Sequence, residues 1–566
     1  MELGGNTMEK IWNMIEQRKN GQSLIKDILV SKGITDPDNI KEFLSDRPQR
    51  TYDPFLIKNM KEAVEKIKEH IRKKDKIVVY GDYDVDGVTA TSLLVEFFSN
   101  FIQDIDYYIP NRFSEGYGLN KEAIFYIKKE MQADLILTVD NGISSYHEVE
   151  YAKEIGLDII VTDHHNPPEE IPQCIVINVK QKGDSYPFKE LCGCGVAFKL
   201  VQALQRELNL PKKLINNTLD LVTLGTISDL VPLVDENRTM VKYGLKIINA
   251  DKRLGLAVLR ETAGLKDKKI NAGQIGYTLG PCFNAAGRIE DAKIGVQLLL
   301  EKSTEKARNL AQTLYQLNIT RQKIQIDGER YCSSLVKEKY SKDDFLVLRA
   351  DEISEGVIGI IAGKIKDTFY RPTLVVTKSE EGYLKGSGRS IKGINIYDEM
   401  KKISDLLLGF GGHEMACGFS IKEENLEELR KRLNIQVQEV KKEDPSILIP
   451  KIDIVAEIKA EELNIEFIKE LSKLEPYGVG NSKPLFVIKN IDVNHQWTRA
   501  CGKEGTHLKF SGKKDDIYLS GIGFSLAEKY ENLKESSIVD VAFYADINKY
   551  NGSIYPQMRI EDIRSA

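Results

Sequence analysis

Apolar residues recur along this chain with two different periods, and the change between them divides it. Leu24, Ile25, Ile28 and Leu29 repeat at helical spacing, and Ile40, Phe43 and Leu44 do so again. Residues 1–50 therefore read as an N-terminal helical segment. Residues 60–71 predict an amphipathic helix with Ala63, Val64, Ile67 and Ile71 on one face. Beyond it the pattern alternates. Short buried runs at 77–80, 135–139, 159–162 and 175–177 predict strands, and residues 88–98 and 146–155 predict helices between them. Strands alternating with helices imply βαβ units and a parallel sheet. Residues 195–208 and 217–224 again read as helical.

Residues 303–339 form a long charged helical stretch with Leu310, Leu314 and Leu317 as its apolar stripe. It reads as a connector, with Gly328 as the expected interruption. A second α/β unit follows, with strands at 345–348 and 373–377 around a helix at 357–365, closing near Leu433. Residues 434–450 mix charges with Pro445 and Pro450, which suits a linker. From 451 to 566 short β-rich runs are separated by turns, the texture of a small β-barrel. The expected domains are thus 1–50 (helical), 51–300 (α/β), 301–340 (connector helix), 341–435 (second α/β) and 451–566 (barrel). A length of 566 residues accommodates about three or four domains.

Composition narrows the class. The chain is 42% hydrophobic and 29% charged, with a formal net charge of -5. That argues against a polybasic sleeve around nucleic acid but leaves room for a local basic channel. Its seven cysteines are scattered, so a disulfide framework is not expected and a reducing, cytoplasmic setting fits. The one close pair, Cys192-Gly-Cys194, has no second pair beside it and reads as a packed turn. Residues 1–20 carry no signal-peptide pattern, and no apolar run approaches the roughly 20 residues that span a bilayer.

The candidate chemistry lies just after three of the expected strands. Residues 77–80 run into Asp82-Tyr-Asp84-Val-Asp86-Gly87, 135–139 into Asp140-Asn-Gly, and 159–162 into Asp163-His164-His165. Ligands bind outside the carboxyl ends of strands in an open parallel sheet, so these groups should converge. Carboxylates packed closely repel and raise one another's pKa, and a cation removes that conflict. Carboxylates with a few imidazoles suit Mn²⁺ or Mg²⁺ better than zinc, and the donors suffice for two ions. Such a pair can clamp a phosphoryl group and activate water. The Asp-x-Asp-x-Asp-Gly spacing also opens an EF-hand loop, but the twelfth position is Leu93 rather than Glu, and a strand precedes it.

These motifs resemble the DHH phosphoesterase superfamily. Gly225-Thr-Ile-Ser-Asp229 is similar to its fourth motif and implies Asp229 as a further ligand. Gly411-Gly412-His413 with Cys417-Gly418 is similar to the associated DHHA1 domain, which supplies a glycine-rich wall bearing a histidine. Within the superfamily the bacterial RecJ exonucleases are most similar. Pro281-Cys-Phe-Asn284-Ala-Ala-Gly287-Arg288 resembles their arginine-bearing segment, Leu317–Gln322 their connector, and Gly386-Ser387-Gly388-Arg389-Ser390 a DHHA1 motif. The stretch from Leu474-Glu-Pro-Tyr-Gly478 to Phe486 resembles the opening of their OB-fold.

The resemblance implies an α/β architecture: a DHH parallel-sheet domain, a long helix, a smaller DHHA1 domain and a C-terminal OB-type barrel. It implies 5′→3′ exonuclease action on single-stranded DNA in repair and recombination, releasing mononucleotides, with Mn²⁺ or Mg²⁺, two ions in all. Asp82, Asp84, Asp140, His164 and Asp229 are the implied metal ligands. Asp86, Asp163 and His165 are their catalytic neighbours, with Asp163 orienting His164. Asn284, Arg288, Ser387, Gly388, Arg389, Gly411, Gly412 and His413 are the implied substrate holders. Glycines admit a substrate close to the backbone, and arginine grips phosphate bidentately. A single-strand-binding protein and a RecQ-type helicase are implied partners of a monomer. Two positions depart from the family pattern: Tyr80 stands where some members have His, and Cys417 where many have Ala.

In the last section Trp497, Arg499, Lys509 and Phe510 interleave basic with aromatic side chains, as single-strand binders do, although Phe510 suits a core position at least as well. Two other functions stay open on the residues alone. One is a DHH phosphodiesterase of short oligoribonucleotides or cyclic dinucleotides; the other is a nucleic-acid scaffold with an inactive site.

Overall fold

The structure is a computed structural model and describes residues 8–15, 24–379, 382–550 and 552–566. Residues 1–7 and 16–23, part of the stretch read as helical, lie outside the described residues. The chain divides into two compact units.

One unit comprises Asp36–Thr320 with Leu474–Ser482. Its sheet has five strands, all parallel, in the spatial order Ile105–Tyr108, Ile77–Tyr80, Leu135–Val139, Asp158–Thr162, Ile175–Ile177. Alternate residues serve opposite faces. Ile77, Val79, Leu135 and Leu137 join the core with helices Met60–Lys73, Val85–Phe98 and Gly193–Glu207. Val78, Tyr80, Ile136 and Val161 pack with helices Lys121–Lys129 and Tyr146–Glu154. Helices on both faces make the strands apolar throughout, which is why they were legible as continuous runs.

The Ile105–Tyr108 strand was not expected from the sequence. Its Ile-Asp-Tyr-Tyr is half-buried at the sheet edge and lacks an apolar run. It intervenes in the chain but not in space, so the three acid-bearing strands are immediate neighbours. Sheet order reverses between Ile77–Tyr80 and Leu135–Val139, the kind of switch point at which α/β sheets bind ligands.

The second unit comprises Met1–Thr35, Arg321–Lys473 and Lys483–Ala566. Leu346–Arg349, Thr373–Lys378, Leu384–Arg389, Ala416–Ile421 and Leu407–His413 form a mixed five-stranded sheet in that order. Near the C-terminus, strands Phe486–Val493, Ile538–Tyr550, Ser553–Ser565, Ile517–Gly523 and His507–Lys514 pair in succession, and the last also pairs with the first. That ring removes the free edges and makes the barrel the sequence predicted.

Three local expectations are corrected. Ile11–Met14 is a strand, pairing in parallel with Lys451–Ile454, and not part of a helical segment. Trp12 Nε1 donates to Asp562 at 2.8 Å, so a partner distant in sequence fixes it. Helix Thr304–Glu338 is continuous through Gly328, where a Cβ would come within 2.4 Å of Ile361 Cδ1; the glycine permits close packing and does not break the helix. Helix Leu426–Glu443 runs through most of the expected linker, because Leu433 and Val437 are buried in the second α/β core.

Phe510 is also corrected as a stacking residue. Leu508, Phe510 and Gly512 alternate inward along their strand, and Phe510 is 1% exposed. Phe510→Ala is expected to destabilise the barrel by about 3–5 kcal/mol, while Phe524→Ala on the surface should stay within about 0.5 kcal/mol. Urea unfolding of the two variants decides this.

Candidate metal centre

The Asp82–Asp86 loop turns directly from strand into helix. Asp84 Oδ1 accepts from Asp86 N at 2.8 Å and Gly87 N at 3.1 Å, capping helix Val85–Phe98. Asp82 Oδ1 accepts from Tyr83 N at 2.8 Å. Asp86 is fully buried and held from another helix start: Gly193 N and Cys194 N both donate to its carboxylate. The Cys192-Gly-Cys194 turn thus anchors an acid, a role that its own composition did not reveal.

Asp140 follows the neighbouring strand with φ at 63°, a left-handed conformation that Asp tolerates better than most residues. His164 Nε2 lies 3.1 Å from Asp140 Oδ1, 3.6 Å from Asp229 Oδ2 and 4.0 Å from Asp86 Oδ2. Three sets of donor atoms come together within 4.8 Å: Asp82, Asp84 and Asp140; Asp86, His164 and Asp229; and Asp140, His164 and His165. Asp163 serves otherwise. Its carboxylate accepts from His164 N, His165 N, Ile143 N and the His165 ring at 2.7–3.1 Å. It orients the His165 ring, whereas the sequence reading had it orient His164.

The electrostatics of the cluster call for cations. Burial, then Asp84, raises Asp82 well above the usual carboxylate range and Asp86 to about 6. Burial, with neighbouring acids led by Asp86, likewise raises Asp140 and takes Asp229 to about 9. Burial pushes His164 down to about 3, so it is neutral at pH 7, as a metal-binding imidazole must be. Burial opposes charge on His165, but the Asp163 carboxylate outweighs it and the pKa rises to about 9. Asp140 Oδ1 and His164 Nε2 approach each other without hydrogen-bond geometry and are buried with no other hydrogen-bond partner. Unsatisfied buried donors and acceptors are costly, and a divalent cation would satisfy both.

Two glycines make room for this packing. A Cβ on Gly193 would lie 2.6 Å from Asp140 Cβ, and one on Gly225 would lie 2.4 Å from Asp86 Oδ1. Gly225→Ala is therefore expected to cost about 1–3 kcal/mol in overpacking and to displace Asp86. Thermal unfolding together with Mn²⁺ titration would register both effects.

Residues 76–226 match the DHH family, N-terminal domain; 342–439 match the DHHA1 domain; and 454–562 match the RecJ OB domain. The single-stranded-DNA-specific exonuclease RecJ of Bacillus subtilis is 39% identical over 563 residues, covering 99% of this chain and 70% of that protein. The Escherichia coli protein of the same name is 34% identical over 527 residues, covering 90% of each. This chain belongs to the RecJ family. A crystal structure of Thermus thermophilus RecJ in complex with Mn²⁺ superposes with a TM-score of 0.83 at 28% identity, covering 98% of this chain and 80% of that one.

Around the RecJ-type centre the structure places residues that the motifs had not singled out. Tyr117 lies with its hydroxyl 3.5 Å from His165 Nδ1, and the Arg112 guanidinium stands 5.1 Å from the Tyr83 ring centre. Both come from the loop after the unforeseen edge strand. Asn284 braces the acidic loop, its Oδ1 accepting from Val85 N at 3.3 Å. A Cβ on Gly287 would lie 2.4 Å from Tyr83 O, so the segment that carries Arg288 packs against the same loop.

In the other unit, the DHHA1 residues form one patch. Ala416 pairs with both Arg389 and His413, Cys417 with Gly388 and Gly412, and Gly418 with Ser387 and Gly411. Arg389 Nη1 donates to Ser387 Oγ at 3.2 Å and to its neighbour's carbonyl at 2.7 Å. Gly412 has φ at 149°, and a Cβ there would lie 2.3 Å from Ala416 O. Cys417 faces the core of this unit. On the RecJ-type barrel, Arg499 and Lys509 are exposed cross-strand partners and Trp497 is exposed. Tyr518 and Phe524 are exposed as well, on the neighbouring strand and just after it, and were not anticipated.

Proposed function

We propose that this chain is a metal-dependent single-stranded-DNA exonuclease that releases mononucleotides in the 5′→3′ direction, acting in DNA repair and recombination. The observation that carries this reading is the buried Asp–His cluster at the sheet switch point, with Asp140 Oδ1 and His164 Nε2 left for a cation. Asp82, Asp84, Asp140, His164 and Asp229 would hold Mn²⁺ or Mg²⁺, with Asp86 and His165 beside them. Two such ions would neutralise the phosphodiester and activate water. The Asp163 carboxylate holds the His165 ring beside those ions, and the Tyr117 hydroxyl lies at the same ring nitrogen, Nδ1. Arg389, Ser387 and His413 offer a neutral-lined anion patch, and Arg288 a second cation.

The ring-closed barrel, with basic and aromatic side chains exposed on it, favours a strand over a dinucleotide as substrate. No helix among the described residues is long and apolar enough to cross a membrane. The seven unpaired cysteines fit the reducing cytoplasm. Action as a monomer and recruitment by a single-strand-binding protein and a RecQ-type helicase belong to the same reading. Product analysis with Mn²⁺ on 5′- and 3′-labelled single strands, beside a dinucleotide, tests it. Mononucleotides are expected to come from the 5′ end of the strand. Preferential cleavage of the dinucleotide would favour the short-substrate phosphodiesterase.

A further inference from the structure

A cavity of about 470 Å³ adjoins the metal cluster within the DHH unit. Ser228 and Leu230, on either side of Asp229, line it, and so does Asn284, which braces the acidic loop. No charged side chain lines the cavity, so it does not suit a phosphate. Apart from Ser228 and Asn284 its lining side chains are apolar or aromatic, and its size is that of a small-molecule site. Tyr277 on its rim is 87% exposed, more than any other large hydrophobic side chain among the described residues, and Leu230 is 68% exposed. Large apolar surface left in water around a pocket marks a binding site.

Two backbone features point the same way. Leu230 is held at a φ of 59°, strained for leucine, and Tyr277 sits in a π-helical turn, Ile275–Leu279. Both kinds of irregularity gather at functional sites. The cavity is also preformed. Its far wall is residues 477–479, from the stretch that by sequence resembled the opening of the OB-fold. The Arg238 guanidinium ties that stretch down by donating to the carbonyls of Leu474 at 3.0 Å and Glu475 at 2.8 Å. Leu233 N donates to Val479 O at 2.8 Å.

We propose that this cavity is a nucleobase subsite: one base adjacent to the scissile phosphate stacks on Tyr277 over Ile227 and Leu230, which adds affinity for the strand beside the metal cluster. The proposal rests on the exonuclease reading. Stacking on an aromatic ring tolerates every base, as an exonuclease without sequence preference requires.

The test is steady-state hydrolysis with Mn²⁺ of 5′-phosphorylated single strands carrying one abasic position, moved stepwise from the 5′ end. In the unaltered protein one position should raise KM about tenfold. Tyr277→Ala should raise KM on intact DNA by about the same factor with kcat unchanged, and should no longer respond to the abasic residue at that position. Tyr277→Phe should behave as the unaltered protein. Gly276→Leu should reproduce Tyr277→Ala by filling the cavity, since a Cβ at Gly276 meets nothing closer than Ile227 Cγ2 at 3.7 Å. KM changes below about twofold in both variants, or mutational and abasic penalties that simply multiply, would overturn the subsite. If the unaltered protein fails to hydrolyse intact single strands at all, the exonuclease reading falls, and the subsite with it.

Discussion

Asp140→Asn is expected to slow single-strand hydrolysis by at least about 10³-fold, some 4 kcal/mol of barrier, without weakening the metal-free fold. Asparagine is nearly isosteric and shares the tolerance for the left-handed backbone at this position. What changes is charge. Asp140 faces Asp86, Asp84, Asp82 and Asp229, and burial has already raised its pKa. Removing one carboxylate relieves repulsion in the empty site and deprives the cations of a ligand shared by two of the three donor sets. Initial rates, calorimetric Mn²⁺ titration and metal-free thermal unfolding together check this. A variant that cleaves within about tenfold of normal would remove Asp140 from the ligand set. Asp84→Ala should also abolish cleavage, but at a cost of about 1 kcal/mol in stability, because Asp84 caps its helix.

The contrast between those two aspartates reflects what a sequence can reveal. The parallel sheet was legible because its central strands are apolar on both faces, and the acids were legible because they follow those strands directly. Their convergence needed only the switch-point rule. The edge strand Ile105–Tyr108 was hidden because a half-buried strand carries no apolar run. Arg112 and Tyr117, which depend on the loop after it, were hidden with it. Ile11–Met14 escaped notice because its partner is more than 400 residues away. Phe510 was ambiguous between core and surface until the register set the inward side of its strand. Gly193 read as part of a packed turn and Gly225 as the first residue of a motif; only the approach of Asp140 and Asp86 shows why no side chain fits at either. The stretch after Leu474 resembled the opening of the barrel, yet it packs with the DHH domain. Motif order records chain position, not the unit in which a segment is buried.

Without metal, the protein is expected to lose stability as pH rises from about 4 to about 9, and Mn²⁺ should restore it most at the alkaline end. In an unfolded chain these aspartates titrate near about 3.9. In the fold Asp86 is raised to about 6 and Asp229 to about 9, while Asp82 and Asp140 are also raised. Between the unfolded and folded values the native state binds more protons than the unfolded state, so stability falls as pH rises. The loss starts near the unfolded value and continues through the raised folded values, that of Asp229 being about 9. His165, raised to about 9, adds to it: its contribution is full below about 6.5 and disappears through its folded pKa. His164, lowered to about 3, acts oppositely, but only below about 6.5, where the unfolded imidazole is still charged. Cations take the place of those protons, so their binding releases protons and strengthens with pH. Thermal unfolding from about pH 5 to 9, with and without Mn²⁺, should show a falling metal-free midpoint and a widening gap. The gap should shrink in Asp140→Asn. If it stayed constant across that range, the buried carboxylates would not be the groups that bind the metal.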